Sequence, residues 1–271
     1  DKLLLRDSYT GISFYAKGNI RLTITPERKS DKDSCPYIGV VTDDDIGGVT
    51  KIAVTKELDD VEIIKNAIEV EKFQFNENYR NKLREELGLE NKFIIGHIGR
   101  FMYQKNHEYL IQIFNNIVHK IPSAHLVLVG DGPLREHILQ KIENLGLSTR
   151  VTYLGLRKDV HKLYSLFDIF YFPSWYEGLG LVAIEAQAEK LPILMSNFIP
   201  DEAVVDNTLA KKLNITENDI NLWINETEQI YQKSNNFISR IGVNDIISRN
   251  GYDIHKEVKR LEELYCEYSK G

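Results

Sequence analysis

The segment Asp168–Ser196, DIFYFPSWYEGLGLVAIEAQAEKLPILMS, holds one complete strand, loop, helix and strand. DIFYF and LPILMS are short apolar runs without polar alternation, as expected of strands covered on both faces, and LVAIEAQAE between them is a run of helix formers. Strands joined through a helix lie parallel, and the right-handed crossover then places helices over the sheet. Outward from this unit the alternation continues. Upstream come NYRNKLREEL, with Asn76 to cap it and Gly88 to stop it; FIIGHI; a helix from Asn106 with Tyr109, Leu110, Ile113, Phe114 and Ile117 on one face; AHLVLVG; Pro133 at a first helical position with LREHILQKIEN ending at Gly146; RVTYLG; and DVHKLYSLF. The expected fold class is α/β: a Rossmann-like parallel sheet with helices on both faces, binding ligand at the carboxyl ends of its strands.

The flanks read differently. Residues 1–66 contain LLLRD, GISFYA, NIRLTIT, YIGVV and TKIAV around the charged stretch PERKSDKDS, which suggests a small β-rich or α/β segment. Beyond Asp206 the chain is polar and helical, ending in DIHKEVKRLEELYCEY. Three parts are expected: a short N-terminal segment 1–66, a Rossmann-like domain 67–212, and packing helices 213–271.

Two clusters in the central part carry chemistry. In WYEGLGLVAIEA, Gly178 and Gly180 let backbone N–H groups approach an anion, and the helix that follows adds the positive end of its dipole. Glu185, about one turn inside that helix, can accept from two neighbouring hydroxyls, as in a ribose diol, and Glu177 at the loop mouth can do the same for a sugar ring. In IIGHIGRFMYQKNHEYLI, Arg100 and Lys105 leave the end of a strand, where two cations can neutralise a diphosphate. Taken singly, each of these residues reads more readily as a solvated charge or, for Glu185, a helix-dipole partner; their shared position at the carboxyl edge favours the site.

GRFMYQKN, LVGDGP, VTYLGLRKDV, PSWYEGLGLVAIEA and LPIL, in this order and spacing, resemble the donor domain of family 4 retaining glycosyltransferases of the GT-B fold, especially bacterial capsule or exopolysaccharide enzymes. The likeness covers about Ile64–Asp206, with the E-x7-E pair Glu177 and Glu185 as its most specific element. IIKNAIEVEKF looks like the interdomain crossover, with Ala67 in place of the usual Gly, and YDIHKEVKRLEELY like the closing helix. The resemblance implies that Arg100 and Lys105 bind the donor diphosphate and Glu177 the sugar hydroxyls. The amides of Gly178, Leu179 and Gly180 would meet sugar and phosphate, and Glu185 the ribose. Gly130 and Gly132 would shape the base pocket, with Leu156 and Arg157 nearby. Asn106 stands where many members have Gly, a change its capping ability makes harmless.

The activity expected is transfer of a sugar, with retention, from a nucleoside diphosphate sugar, UDP-linked by preference, to a carbohydrate or lipid-linked acceptor in surface polysaccharide assembly. No cofactor and no metal are expected. Only about 66 residues precede the crossover, where the family has a full acceptor domain, so a partner subunit, a shortened chain or a reduced acceptor region are alternatives. A non-catalytic nucleotide-sugar-binding subunit, a UDP-sugar epimerase of the same fold and a structural module are the rival readings.

The rest of the sequence narrows these choices. With 271 residues, 42% hydrophobic, 27% charged and a net charge of -6, the chain is globular and lacks the basic surface that nucleic acid requires. Two cysteines, Cys35 and Cys266, fit a reducing compartment, and no window approaches the ~20 apolar residues of a membrane span. The expected location is cytoplasmic, with peripheral contact at the inner face of the membrane. Asp43-Asp44-Asp45 holds a D-x-D pattern but reads as a solvated loop, and Gly47-Gly48 as a turn. The seven histidines show no metal spacing; His97, in a buried strand near the phosphate loop, is the one of interest, and a satisfied core histidine is its default reading.

Overall fold

The computed structural model describes residues 3–7, 22–26, 37–40, 50–54, 61–233, 240–242 and 244–269. Asp43–Asp45, Gly47-Gly48, Cys35 and GISFYA lie outside the described residues. The chain divides into two compact units, Asp1–Ala67 with Ile254–Gly271, and Ile68–Asp253. In the first, β1 (Leu3–Asp7) pairs in parallel with β5 (Val61–Lys65), and β2 (Leu22–Pro26), β4 (Thr50–Val54) and β3 (Tyr37–Val40) form an antiparallel sheet in the order β2-β4-β3.

The Ile68–Asp253 unit opens with α1 (Glu77–Leu87). It begins where the Asn76 side chain accepts from the Tyr79 N–H and ends at Gly88 in the left-handed conformation. Then follow β6 (Phe93–Ile98), α2 (His107–Lys120), β7 (Ala124–Val129), α3 (Arg135–Asn144), β8 (Val151–Tyr153), α4 (Val160–Leu166), β9 (Ile169–Phe172), α5 (Leu181–Ala188), β10 (Ile193–Ser196), β11 (Ala210–Leu213), α6 (Ile220–Lys233) and α7 (Asp245–Arg249). The remaining helix, α8 (Ile254–Ser269), falls in the first unit. The six strands β6–β11 make one parallel sheet in the order β11-β10-β9-β6-β7-β8.

Alternate residues of each strand feed two cores. Phe93, Ile95, Leu126, Leu128, Ile169 and Tyr171 pack with Phe114, Ile138 and Trp223 of α2, α3 and α6. Ile94, Val127, Val129, Phe170 and Phe172 pack with Leu83, Leu163, Phe167 and Ala183, on and beside α1, α4 and α5. Both faces are therefore covered, which is why the strands read as unbroken apolar runs. Gly96 supplies a notch in β6: a Cβ there would lie 2.2 Å from the Phe167 ring.

Three readings from sequence differ from this arrangement. Pro133 sits two residues ahead of α3, in the turn that lifts the chain off β7, and not at its first position. The AKKL strand β11 was not expected, because an edge strand with exposed lysines carries little apolar signal. The compact units also run differently from the three-part division at 66/67 and 212/213. Trp223 of α6 is fully buried in the sheet's core, so this helix belongs to the Rossmann-like unit and only α8 falls outside it.

Asp168, at the start of β9, fastens α1 to the sheet. Its carboxylate takes Arg80, Arg84 at 2.7 Å and the Ile94 N–H at 2.7 Å, and all three side chains are nearly inaccessible. Arg84 also donates to the Leu166 and Lys92 carbonyls, and burial holds its pKa below the usual arginine value, against the pull of Asp168. Removing the carboxylate charge leaves two buried guanidinium groups without the opposite charge of Asp168, held by backbone carbonyls. Asp168→Asn is expected to lower the unfolding free energy by about 3–5 kcal/mol in a urea titration; a loss under ~1 kcal/mol would show that the backbone carbonyls alone suffice.

Candidate functional site

All six strands end at the same edge, and the loops after β6, β7, β8 and β9 gather there. After β7, Gly130 adopts φ 132, and a Cβ on it would lie 2.0 Å from the Gly99 carbonyl oxygen. A Cβ on Gly132 would approach the Phe101 carbonyl oxygen to 2.5 Å. Only glycines allow the β7 loop to cross the β6 loop so closely, and the crossing is sealed by the Phe101 N–H donating to Asp131 O at 3.0 Å. Beside it opens a cleft of about 510 Å³ lined by Arg100, Gly130, Gly132, Leu156, Arg157 and Val160, among others. Five of the residues selected from sequence thus share one wall. Leu156 is 79% exposed, and the Arg157 guanidinium is held by Asp159 through two bonds of 2.8 Å.

Lys105 and Glu177 meet one another, which their separate assignments did not anticipate. Nζ lies 2.6 Å from Oε1, with the two side chains 15% and 8% exposed, and the ammonium also stands 5.2 Å from the Phe172 ring centroid. Asn106 fixes the lysine loop from the other side. It adopts φ 53, its side-chain oxygen accepts from Tyr109 N–H, and its amide donates to Pro173 O at 3.1 Å. The left-handed backbone is therefore why glycine suits this position, and Asn is among the few other residues that tolerate it. Capping is only half of the explanation given by the sequence.

Gly178, Leu179 and Gly180 lead into α5. Gly180, at φ 78, precedes the first helical residue, and its missing Cβ leaves room for Phe172, 2.8 Å away. Among the described residues, no acceptor takes the N–H groups of Gly178, Leu179 or Gly180, so this loop presents amides backed by the helix dipole. The Leu179 side chain itself is buried in a small core with Ile68, Val70 and Tyr252; only its backbone is available.

Glu185 stands apart from the cleft. Its carboxylate accepts from the Tyr164 hydroxyl at 2.6 Å, one turn along α4 from the cleft residue Val160, and burial raises its pKa despite that bond. Tyr164 was not singled out from sequence, since a tyrosine on the apolar face of a helix reads as core.

Behind the lysine loop, His97 is fully buried and its Nδ1–H donates to Tyr171 O at 2.9 Å. His107, also buried, stacks on Phe101 and meets His97 edge to face at 4.7 Å. Among the described residues, neither nitrogen of His107, nor Nε2 of His97, has a hydrogen-bond partner. The reading of His97 as a satisfied core histidine holds for one of its nitrogens only.

A second cavity, about 570 Å³, opens at the amino ends of β9 and β10 beside Asp168, Lys190, Pro192 and Arg240. Asp168 is committed to Arg80 and Arg84, and Arg240 to Glu189 and the Phe167 and Tyr164 carbonyls, so these charges are structural. Parallel sheets bind ligands at their carboxyl ends. No group of three or more metal-ligating side chains occurs among the described residues, and no helix among them is long and apolar enough to cross a membrane.

The chain is similar to known glycosyltransferases in sequence and in fold. The family model for glycosyl transferases group 1 matches residues 79–241. Among curated relatives, a putative glycosyltransferase EpsF of Bacillus subtilis is 30% identical over 210 residues, covering 77% of this chain and 54% of the relative. The UDP-Gal:alpha-D-GlcNAc-diphosphoundecaprenol alpha-1,3-galactosyltransferase of Escherichia coli is 32% identical over 212 residues, covering 76% and 54%. The chain thus spans about half the length of the curated relatives it matches. Among solved structures, Anabaena Alr3699/HepE in complex with UDP superposes with a TM-score of 0.65 at 24% identity over 76% of this chain and 57% of that one. The C-terminal domain of a glycosyl transferase group 1 family protein (LpcC) from Francisella tularensis gives 0.55 at 22% identity, over 69% of this chain and 95% of that domain.

The buried histidine gives a pH test. Burial lowers the His97 pKa from 6.5 to about 4, reinforced by Lys105 and opposed by the Tyr171 carbonyl. The folded value lies below the unfolded one, so the stability carried by neutral His97 is complete above pH 6.5 and is lost as pH falls through about 4, amounting to roughly 3 kcal/mol there. His97→Gln should flatten the fall in unfolding free energy between pH 7 and 4 by roughly that amount. His125 and His107, lowered by burial to about 4 and about 2, are common to both proteins and cancel, apart from the share of the His107 shift that His97 itself causes. Parallel curves would place the acid sensitivity elsewhere.

Proposed function

We propose, from the premise that this chain belongs to the glycosyl transferases group 1 family, that its Ile68–Asp253 unit binds a nucleoside diphosphate sugar, UDP-linked by preference, for transfer with retention to a carbohydrate or lipid-linked acceptor. One observation carries the reading. Along a single sheet edge, the cleft of Gly130, Leu156 and Arg100 is followed by the Lys105–Glu177 pair and the open amides of Gly178–Gly180 at the head of α5. A hydrophobic cleft, a cation with free N–H groups, and a carboxylate match a base, a diphosphate and a sugar in that order.

In this reading Arg100 and Lys105 take the diphosphate and Glu177 turns from Lys105 to the sugar hydroxyls. Glu185, oriented by Tyr164, accepts from the ribose diol. As the bond from the anomeric carbon to the diphosphate breaks, its electron pair passes to the departing oxygen. Lys105 and the α5 dipole stabilise the growing charge, and the acceptor hydroxyl bonds to the same face while its proton goes to that oxygen. Metal independence and assembly of a surface polysaccharide at the inner membrane face belong to the same proposal, supported by the family resemblance. The alternative reading is a unit that binds the donor without catalysing transfer.

Calorimetry against UDP, GDP, ADP and their sugar conjugates, in EDTA, tests the reading. Saturable binding of one nucleotide is expected, weakened in Glu185→Ala by roughly 1–3 kcal/mol, about 5- to 150-fold. Lys105→Ala should reduce donor turnover far more than nucleotide affinity. Parent-like binding in Glu185→Ala, with the fold intact by circular dichroism, sinks the assignment; binding without transfer or donor hydrolysis selects the non-catalytic alternative.

A further inference from the structure

Tyr103, Trp175 and Phe198 form a row of rings beside the Lys105–Glu177 pair that the donor reading leaves unused. Tyr103 and Trp175 are nearly parallel, with centroids 6.1 Å apart and 11° between planes, and Trp175 and Phe198 follow at 6.2 Å and 48°. Stacked rings in full face contact would be closer, so the first pair is offset like adjoining steps. Tyr103 is 70% exposed and Phe198 58%; with Tyr176 at 52% they are three of the five exposed aromatic residues among the described ones. Single exposed aromatics are ordinary, whereas a contiguous row is the mark of a contact surface.

The row is built to keep its shape. One side of Trp175 packs on the core under α2 and α6, and its backbone N–H donates to Gln104 O at 2.8 Å. The Gln104 amide donates to Tyr176 O at 2.9 Å, and the Ser196 hydroxyl, which accepts from the Phe198 N–H at 3.2 Å, donates to Ser174 O at 2.5 Å. The loops after β6, β9 and β10 are thereby tied into one surface, and rings already held in place lose little freedom on binding.

Position and rim chemistry identify the occupant. In the order β10-β9-β6-β7-β8, Phe198 follows β10, Trp175 and Glu177 follow β9, Tyr103 and Lys105 follow β6, and the hydrophobic cleft lies over β7 and β8. The row therefore runs alongside the ion pair, Tyr103 beside Lys105 and Trp175 beside Glu177, and its Phe198 end lies about one strand spacing, about 4.8 Å, further from the cleft. A donor laid with its base in the cleft has its sugar at Glu177, and the Phe198 end of the row borders that sugar on the side away from the base. The rim carries the Gln104 amide, the Asn197 amide, bonded to Asn214 at 2.6 Å, and two tyrosine hydroxyls. Flat apolar faces edged by amides and hydroxyls suit a pyranose, which has an apolar C–H face and a polar rim. A lipid-binding face would instead ring its aromatics with exposed cations; of the cations in the β6 loop, Lys105 is buried against Glu177 and Arg100 lines the donor cleft.

We propose that Tyr103, Trp175 and Phe198 form a platform on which a pyranose ring of the acceptor carbohydrate stacks. This assignment rests on the donor site proposed above. Trp175 supplies its own reporter, because the other tryptophan, Trp223, is fully buried. Titration of the whole chain with chitotriose, maltotriose and cellotriose should give a saturable change in tryptophan fluorescence with at least one of them. Tyr103→Ala and Phe198→Ala should each raise that dissociation constant roughly five-fold while leaving UDP affinity by calorimetry within about two-fold of the parent. Absence of a saturable change with every trisaccharide, or equal affinity in parent and both variants, overturns the proposal. So does binding to phosphatidylglycerol vesicles that both variants abolish, which would assign the row to a membrane surface. Loss of UDP binding in the parent would instead remove the donor reading and leave the trisaccharide result standing on its own.

Discussion

A parallel sheet covered on both faces has only its edges left for chemistry, and this constraint organises the Ile68–Asp253 unit. Because β6 to β11 all point one way, every βα loop and every helix amino terminus that follows a strand arrives at the same edge. The apolar side chains that make the layers stable cannot take part in recognition. The residues that can are those within a few positions of a strand end: Arg100 and Lys105 after β6, Gly130 and Gly132 after β7, Leu156 and Arg157 after β8, Glu177 after β9. Asp168 secures the other end, where two arginines of α1 converge on one buried carboxylate. The two ends divide the work, with paired buried charge for integrity at one and loosely committed charge at the other.

Much of this was legible in the sequence because it depends on local rules. Periodicity and end signals located α1, β6, α2, β7, β9, α5 and β10, and Asn76 and Gly88 mark the ends of α1 as capping and backbone freedom require. What local rules do not encode was missed. The Lys105–Glu177 contact joins residues 72 apart and depends on how two loops fold over one another. Tyr164 acquires a role only because α4 and α5 lie side by side, and the unpartnered His107 nitrogens follow from where α2 begins. The AKKL strand is held by its neighbour β10 and by little in its own composition. Asn106 shows the intermediate case: its capping role is local and readable, whereas its left-handed backbone is set by the turn between the lysine loop and α2.

The Lys105–Glu177 pair deserves weighing against what each partner would do alone. Both side chains are largely buried, and a buried ion pair adds little net stability because desolvation offsets most of its attraction. Its value lies in geometry. Lys105 is held over the Phe172 ring and Glu177 at the mouth of the α5 loop, with neither charge left unpaired in a desolvated place. A ligand bringing a diphosphate and a hydroxyl-bearing ring offers each partner a replacement at the moment the pair opens. In the proposed reading the diphosphate takes the lysine and the ring hydroxyls take the glutamate.

That exchange explains why the site can be both formed and reactive in the proposed transfer. Groups aimed in advance at a developing charge need no reorganisation during the reaction, whereas solvated side chains would have to shed water and find their positions first. The cost of opening the ion pair falls on donor binding, before any bond breaks. The lysine then faces a leaving group whose charge grows, so its attraction is larger in the transition state than in the ground state, as acceleration requires. Glu177, facing hydroxyls whose charge changes little, contributes mainly orientation. Two residues that look equivalent in the ion pair would thus divide, in the proposed transfer, into one that binds and one that stabilises, and the division follows from what each would meet along the sheet edge.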